Sequence, residues 1–236
     1  MASYIKLILI IIHGSVCSIL AMFFSIIDRS FYLYFKLSKL FSNGILFISR
    51  IKLNITGLEN IDKNGTYVFV SNHASQLDIV TLQSAIPVNA SIIYKKELGY
   101  IPVFGWQLVL GPYLSIDRKN PEKAHRTILH AKHLMLKRKM SALLFAEGTR
   151  SKTGSIQPFK RGAFNLAAKV EQPIIPVTIK GTSSILPKGS FKINSGIISV
   201  HFDKPISVNL VSTKAQEVEL MQKVREVIVK NFERMN

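Results

Sequence analysis

Apolar residues are unevenly distributed along this chain of 236 residues. Residues 7–27 form an almost unbroken apolar run without a charged side chain, and about 20 such residues can cross the hydrocarbon core of a bilayer. Residues 30–48 are apolar and aromatic but include Lys36 and Lys39. This pattern is typical of a helix at the lipid interface whose lysines reach the head groups. We therefore expect residues 1–50 to form hydrophobic and interfacial helices that attach the chain to a membrane.

Three arrangements of this segment are open. One is a single spanning helix, with the excess of Lys and Arg beyond residue 28 keeping the rest of the chain in the cytoplasm. Another is a helical pair that enters one leaflet, and the third is a cleaved secretory signal. The run is long for a signal peptide, and no convincing small-residue cleavage site follows it. A buried core helix is a weaker alternative, because helices of soluble proteins are usually amphipathic.

From residue 51 onward, short apolar runs alternate with turn-forming residues and helical patterns. The runs that predict strands are residues 51–55, 67–70, 91–94, 113–116, 142–145, 174–179 and 197–202. Asn120, Pro121 and Glu122 form a helix start that predicts a helix to about Lys139. Residues 213–233 carry apolar side chains on one helical face. Strands that alternate with helices predict an α/β domain over residues 51–236.

The charge balance narrows the choice of partner. Lys and Arg total 31 against 14 Asp and Glu, which gives a formal net charge of +17. A surface this basic favours an anionic partner: nucleic acid, acidic lipid or a phosphorylated substrate. Cys17 is the single cysteine, which excludes an internal disulfide framework and a zinc site built from cysteines.

A histidine and an aspartate follow the predicted strand 67–70. His73 and Asp78 are separated by four residues, so they do not share a helix face. They can meet if His73 lies on the turn and Asp78 on the first turn of a helix. The carboxylate would then fix the tautomer of the imidazole, as in general-base catalysis. A capping aspartate beside a hydrogen-bonded histidine is the alternative interpretation.

Basic residues recur at other predicted strand ends. Residues 145–151 contain Glu147, Gly148 and Arg150, in which glycine permits close backbone approach and arginine suits phosphate oxygens. Arg118 follows another strand, and Lys160 lies in a glycine-containing loop that enters a helix. The N-terminus of such a helix favours an anion. Surface ion pairs are the alternative interpretation for each of these segments.

Taken in order, these segments resemble the glycerolipid acyltransferase family, specifically the 1-acyl-sn-glycerol-3-phosphate acyltransferases. The family motifs are a His-four residues-Asp block, an Ile-Asp-Arg block, a Phe-Pro-Glu-Gly-Thr-Arg-Ser block and a Pro-rich strand. Here they stand at residues 73–78, 116–118, 145–151 and 173–177. Ala146 departs from the family, which usually has proline there. The resemblance implies a glycerol-3-phosphate acyltransferase-like fold, with a mixed β-sheet flanked by helices and an N-terminal hydrophobic membrane anchor.

The resemblance also implies the chemistry. His73 acts as the base that takes the proton of a lysophospholipid hydroxyl, Asp78 orients it, and a long-chain acyl thioester is the donor. The expected substrate-binding residues are Lys95, Arg118, Glu147, Gly148, Thr149, Arg150 and Lys160. We expect a phospholipid membrane, lysophosphatidate and either acyl-coenzyme A or acyl carrier protein as partners, and no further cofactor. The expected location is the cell membrane, with the catalytic domain on the cytoplasmic face.

Other functions are less consistent with the sequence. A nucleic-acid-binding protein would explain the charge, but no nucleic-acid motif is present. A thioesterase or lipase would need a positioned serine or water, and the chain has no Gly-x-Ser-x-Gly motif. His130 and His133 are spaced to share a helix face, but no carboxylate or cysteine joins them, so no metal site is expected. An inactive lipid-binding protein and a different acceptor, such as a lyso-ornithine lipid, are further alternatives.

Overall fold

The computed structural model describes residues 3–116 and 121–235. Within these residues, the seven apolar runs predicted as strands all form strands. They are β1 Ile51–Thr56, β2 Val68–Ser71, β3 Ala90–Lys95, β4 Leu114–Ile116, β5 Ser141–Phe145, β6 Ile174–Lys180 and β7 Gly196–Phe202. They build one sheet in the order β1-β7-β6-β2-β5-β3-β4.

The strand directions make this a mixed sheet. Strands β6, β2, β5, β3 and β4 are parallel to one another, whereas β7 is antiparallel to β6 and parallel to β1. The mixed β-sheet that the family resemblance implies is therefore confirmed. The carboxyl ends of the five parallel strands lie at one edge, which we call the carboxyl edge. Ligands of open α/β sheets bind at this kind of edge.

Eight helices flank the sheet in the described part of the chain. They are α1 Ser3–Ile27, α2 Tyr32–Ser49, α3 Leu77–Ala85, α4 Phe104–Leu110, α5 Pro121–Arg138, α6 Gly162–Val170, α7 Thr182–Ile185 and α8 Lys214–Arg234. The two helices predicted near residues 120–139 and 213–233 are thus present as α5 and α8. Thr213 caps α8 by accepting a hydrogen bond from the backbone N–H of Gln216, which satisfies one of the free donors of the first turn.

The first two helices form an antiparallel hairpin. Lys6 near the start of α1 contacts the carbonyl of Ser49 at the end of α2, and His13 lies against the carbonyl of Phe41 at 3.2 Å. A side chain at Gly44 would overlap the His13 ring, so this glycine permits the close approach of the two helices.

One face of the hairpin packs against the α/β unit, and the other face is exposed. Tyr34, Phe35 and Leu46 of α2 belong to the same hydrophobic core as the central strands. The outward face of α1 exposes large apolar side chains, among them Ile8, Ile12, Ile19 and Phe23. Among the described residues, one helix, Tyr4–Ile27, is long and apolar enough to cross a membrane. The helices expected over residues 1–50 are therefore present, and they share a continuous core with the α/β unit.

Candidate active site

His73 and Asp78 meet at the carboxyl edge, immediately after β2. His73 lies on the turn and Asp78 on the first turn of α3, and the distance between His73 Nδ1 and Asp78 Oδ2 is 2.8 Å. The same carboxylate oxygen accepts hydrogen bonds from the backbone N–H groups of Ala74 at 2.7 Å and Ser75 at 2.8 Å. The contact that the spacing predicted is present, and the backbone of the intervening turn holds the carboxylate in place.

This arrangement defines which nitrogen of His73 can react. Asp78 is only 1% exposed, and a carboxylate near a helix N-terminus is favoured by the helix dipole. An acceptor at Nδ1 keeps the imidazole proton on that atom and leaves Nε2 free to take a proton from a substrate. The ring stacks on Phe145 with centroids 4.0 Å apart, and the side chain of His73 is 14% exposed. Asp78 and Phe145 therefore hold the His73 ring on two sides, and a third side of the ring is open.

Two buried polar residues that the sequence analysis did not single out brace the same turn. The side-chain amide of Asn72 donates to the carbonyl of Ile179 at 2.9 Å and accepts from its N–H at 2.9 Å. Ser75 Oγ donates to the carbonyl of Leu186 at 2.7 Å. Because unpaired polar groups are costly inside a protein, these contacts fix the turn to β6 and to the loop after α7. The feature of the sequence that could have identified Asn72 and Ser75 is the position of polar residues next to a strand of apolar residues.

Glu147 connects the His73 turn to the loop after β5. Its side chain is 3% exposed. One oxygen accepts from the N–H of His73 at 2.7 Å and the other from the N–H of Gln157 at 3.2 Å. Burial raises the pKa of Glu147 from 4.5 to about 7, although these two donors act in the opposite direction. Both carboxylate oxygens are therefore used in hydrogen bonds within the protein, so Glu147 shapes the site by holding the two segments together.

Gly148 and Lys160 lie against each other next to Glu147. The φ angle of Gly148 is +71°, which side chains rarely adopt. A Cβ there would approach Cδ of Lys160 to 3.0 Å. The N–H of Lys160 donates to the carbonyl of Ala146 at 2.7 Å, so the basic loop before α6 is held beside the residue 145–151 loop. Thr149 is exposed and Arg150 is half-buried at the surface of this loop.

Lys95, another predicted substrate-binding residue, lies in a different segment from this group. Lys95 ends β3, and its ammonium group pairs with Glu97 at 3.2 Å, within its own segment of the carboxyl edge. Arg118 lies outside the described residues. Within residues 3–116 and 121–235, no cluster of three or more His, Cys, Asp or Glu side chains is arranged to hold a metal ion.

An apolar cavity lies between the hairpin and the α/β unit. It is partly open to solvent, and its apolar lining includes Ala21, Leu37, Phe41, Ile79, Phe104 and Leu108. Ile79, which lines the cavity, directly follows Asp78 in α3. This mostly apolar lining suits an aliphatic chain rather than a polar ligand. No pattern in the sequence predicts this cavity, because its walls come from segments far apart in the chain.

Comparison with known proteins gives a consistent result. A model of the family described as "Acyltransferase" matches residues 52–180, more than half of the chain. A 1-acyl-sn-glycerol-3-phosphate acyltransferase of Cocos nucifera is 36% identical over 146 residues, covering 62% of this chain and 47% of that protein. One of Saccharomyces cerevisiae is 34% identical over 181 residues, covering 76% of this chain and 59% of that protein. The chain thus spans about half the length of these curated relatives.

A solved structure shows the same fold. The crystal structure of the 1-acyl-sn-glycerophosphate (LPA) acyltransferase PlsC from Thermotoga maritima superposes with a TM-score of 0.78. The match covers 99% of this chain and 97% of the other, at 23% sequence identity. The likeness therefore includes the N-terminal hairpin as well as the sheet.

Proposed function

This chain belongs to the acyltransferase family, and from that premise we propose that it transfers a long-chain acyl group to the sn-2 hydroxyl of 1-acyl-sn-glycerol-3-phosphate. The product would be phosphatidate, a step of phospholipid biosynthesis. The observation that carries the proposal is the 2.8 Å contact between His73 and Asp78 at the carboxyl edge. It stands among the other family motifs, and the named relatives carry out this reaction by their printed names.

His73 acts as the general base in this reaction. Nε2 takes the proton of the acceptor hydroxyl while the hydroxyl oxygen attacks the carbonyl carbon of the thioester. The carbon–sulfur bond then breaks, and the proton passes from the imidazolium to the departing thiolate. Asp78 keeps Nδ1 protonated and stabilises the imidazolium. No covalent acyl-enzyme intermediate is required.

The acceptor phosphate is bound by the basic residues of the same edge. Arg150 and Lys160 are held beside the His73 turn by the contacts of the residue 145–151 loop. Arg118 and Lys95 complete the proposed set, and Gly148 and Thr149 line the loop. Arginine forms paired hydrogen bonds with phosphate oxygens, whereas lysine acts as a point charge.

The apolar cavity accommodates an acyl chain. Its lining is mostly hydrocarbon and includes Ile79, the residue after Asp78, and in this proposal the chain of a thioester whose carbonyl lies at His73 enters it. Burial of methylene groups contributes roughly 0.8 kcal/mol each, which favours long acyl chains. The acyl donor is acyl-coenzyme A or acyl carrier protein.

The hairpin attaches the chain to one leaflet. Because α2 is packed on the α/β unit, a hairpin that crossed the bilayer would carry polar parts of that unit into the lipid. The ammonium group of Lys6 lies 3.4 Å from the carbonyl of Ser49 and 3.3 Å from that of Ile193, which holds the start of α1 on the protein. Of the arrangements considered, a helical pair in one leaflet fits best. We place the catalytic domain on the cytoplasmic face, where acyl thioesters are made.

Product analysis tests the reaction class. Purified chain in detergent would be incubated with 1-acyl-sn-glycerol-3-phosphate and either acyl-coenzyme A or acyl carrier protein. We expect labelled phosphatidate with at least one donor. Free fatty acid as the sole product would instead identify a hydrolase, and acylation of a different lysolipid alone would correct the acceptor.

A further inference from the structure

The loop that follows α7 reaches over the carboxyl edge beside the catalytic turn. Ser75 Oγ ties this loop to the turn through the carbonyl of Leu186 at 2.7 Å. Two residues later, Lys188 Nζ donates to the carbonyl of Arg150 at 2.7 Å. Gly189 follows with a φ of +88°, which lets the chain turn away sharply. This loop lies beyond residues 52–180 that match the family model.

A single peptide group links Lys188 to the backbone of His73. The carbonyl of Arg150 accepts from Lys188, and the N–H of Ser151 in the same peptide group donates to the carbonyl of His73 at 2.8 Å. Ser75 and Ser151 are both buried. The Lys188 ammonium group is therefore connected to the backbone of His73 through one peptide group.

Lys188 retains the capacity to bind an anion. A lysine ammonium group has three N–H donors, and the bond to Arg150 uses one of them. In the part of the chain that the structure describes, no carboxylate pairs with Lys188, and its side chain is exposed. Arg150 and Lys160 add positive charge on the same side of the catalytic turn. Among the residues that the structure describes, Lys188 therefore has free N–H donors and no carboxylate counter-ion.

We propose that Lys188 binds a substrate phosphate, together with Arg150. The inference rests on the proposed function, because that function supplies a phosphate-bearing substrate. In lysophosphatidate, the glycerol unit carries the reacting hydroxyl and the phosphate on adjacent carbons. A hydroxyl at His73 therefore places the phosphate close to the catalytic turn, within reach of a lysine one peptide group away. Coenzyme A also carries phosphates, so the experiment separates acceptor from donor.

The test compares Lys188→Met with Lys188→Arg and a matched control. Lys204→Met removes the same charge from an exposed lysine that follows β7. Because β7 is antiparallel to β6, the carboxyl end of β7 lies at the edge of the sheet opposite to the carboxyl edge. The first readout is equilibrium binding of lysophosphatidate and of 1-monoacylglycerol, in mixed micelles, by His73→Ala protein with or without each lysine variant. The second is KM for acceptor and for acyl-coenzyme A, measured with active protein.

We expect Lys188→Met to weaken lysophosphatidate binding about tenfold, the size of one hydrogen bond to a charged group. Binding of monoacylglycerol, which lacks phosphate, should not change. KM should rise with kcat nearly unchanged, Lys188→Arg should restore most of the affinity, and Lys204→Met should match the parent. A rise confined to the KM for acyl-coenzyme A would assign the same lysine to the donor phosphates.

Equal loss with both lipids, or a fall in kcat and thermal midpoint without a change in phosphate binding, would overturn the inference in favour of a structural bond to Arg150. Absence of turnover by the parent, together with phosphate-dependent binding lost in Lys188→Met, would overturn the proposed function alone. Unchanged binding and unchanged KM values would overturn the role of Lys188 alone.

Discussion

The chemistry of the site depends on how individual groups are partnered. Asp78 engages His73 and the intervening turn through one carboxylate oxygen, whereas Glu147 engages two separate segments through two oxygens. The first arrangement keeps a histidine oriented for proton transfer. The second ties together the motif loops on which the substrate would rest.

The environment of Glu147 makes stability depend on pH. Its pKa is about 7 in the folded chain against 4.5 for a free carboxyl, chiefly through burial. Because the folded state binds this proton more tightly, the contribution to stability is complete below about pH 4.5 and is lost as pH rises through about 7. A shift of this size corresponds to about 3 kcal/mol.

Substitution of Glu147 by Gln should remove this dependence. Between pH 5 and pH 8, the free energy of unfolding of the parent chain should fall relative to that of Glu147→Gln, as measured by urea unfolding in detergent at several pH values. Glu226→Gln, at an exposed position of α8, serves as the control and should follow the parent. Parallel curves for the parent and Glu147→Gln would contradict the account.

The sequence predicted some of these residues and missed others for a clear reason. His73 and Asp78 lie five residues apart, so one local turn was enough to predict their contact. The backbone N–H of Gln157 donates to the carboxylate of Glu147, and Lys188 Nζ donates to the carbonyl of Arg150. Neither residue type nor spacing reveals a bond between a side chain and a distant backbone group.

Helices and strands hold these residues in position, and most of these helices and strands were predictable from the sequence. All seven strands and the helices α5 and α8 appear where the apolar patterns and start signals indicated them, because those patterns report burial on one face of an element. The sheet order and the reversed direction of β7 and β1 did not follow from any local pattern. The family resemblance supplied the mixed sheet.

Substitution of Asn72 tests how the end of β2 is joined to β6. Its amide satisfies both the N–H and the carbonyl of Ile179, so Asn72→Ala would leave two buried backbone groups unpaired. We expect a loss of about 3 kcal/mol in the free energy of unfolding, measured with urea in detergent. Asn54→Ala on the exposed face of β1 should change stability by less than about 0.5 kcal/mol. Equal effects of the two variants would show that the bridge between β2 and β6 contributes nothing.

The whole molecule combines a basic body with an apolar hairpin face. The net charge of +17 indicated an anionic partner, and the apolar run near the N-terminus indicated a membrane. The cavity and the packing of α2 on the core were not predictable, since they form only when the hairpin docks on the sheet. In the proposed function, the cavity would hold the lipid chain, His73 would act as the base, and the basic residues would bind the phosphate.

The outward face of α1 should control membrane attachment. Ile12 and Ile19 are 56% and 54% exposed on this face, and an aspartate at the centre of a membrane helix costs about 2.5–3.5 kcal/mol. The double variant Ile12→Asp, Ile19→Asp should therefore bind phosphatidylcholine–phosphatidylglycerol vesicles much less in flotation assays, with unchanged circular dichroism. Leu210→Asp, at a residue 86% exposed outside the hairpin, should float like the parent. Equal flotation of all three proteins would rule out the hairpin as the anchor.

The central claim is that His73 drives acyl transfer to lysophosphatidate. The most direct measurement is the rate of phosphatidate formation from lysophosphatidate and an acyl thioester by the parent chain and by His73→Ala, with folding checked by thermal midpoint. Loss of a general base predicts a rate lower by about a thousandfold with little change in the midpoint. Phosphatidate formed at the parental rate by His73→Ala, or none formed by the folded parent with either donor, would contradict the account.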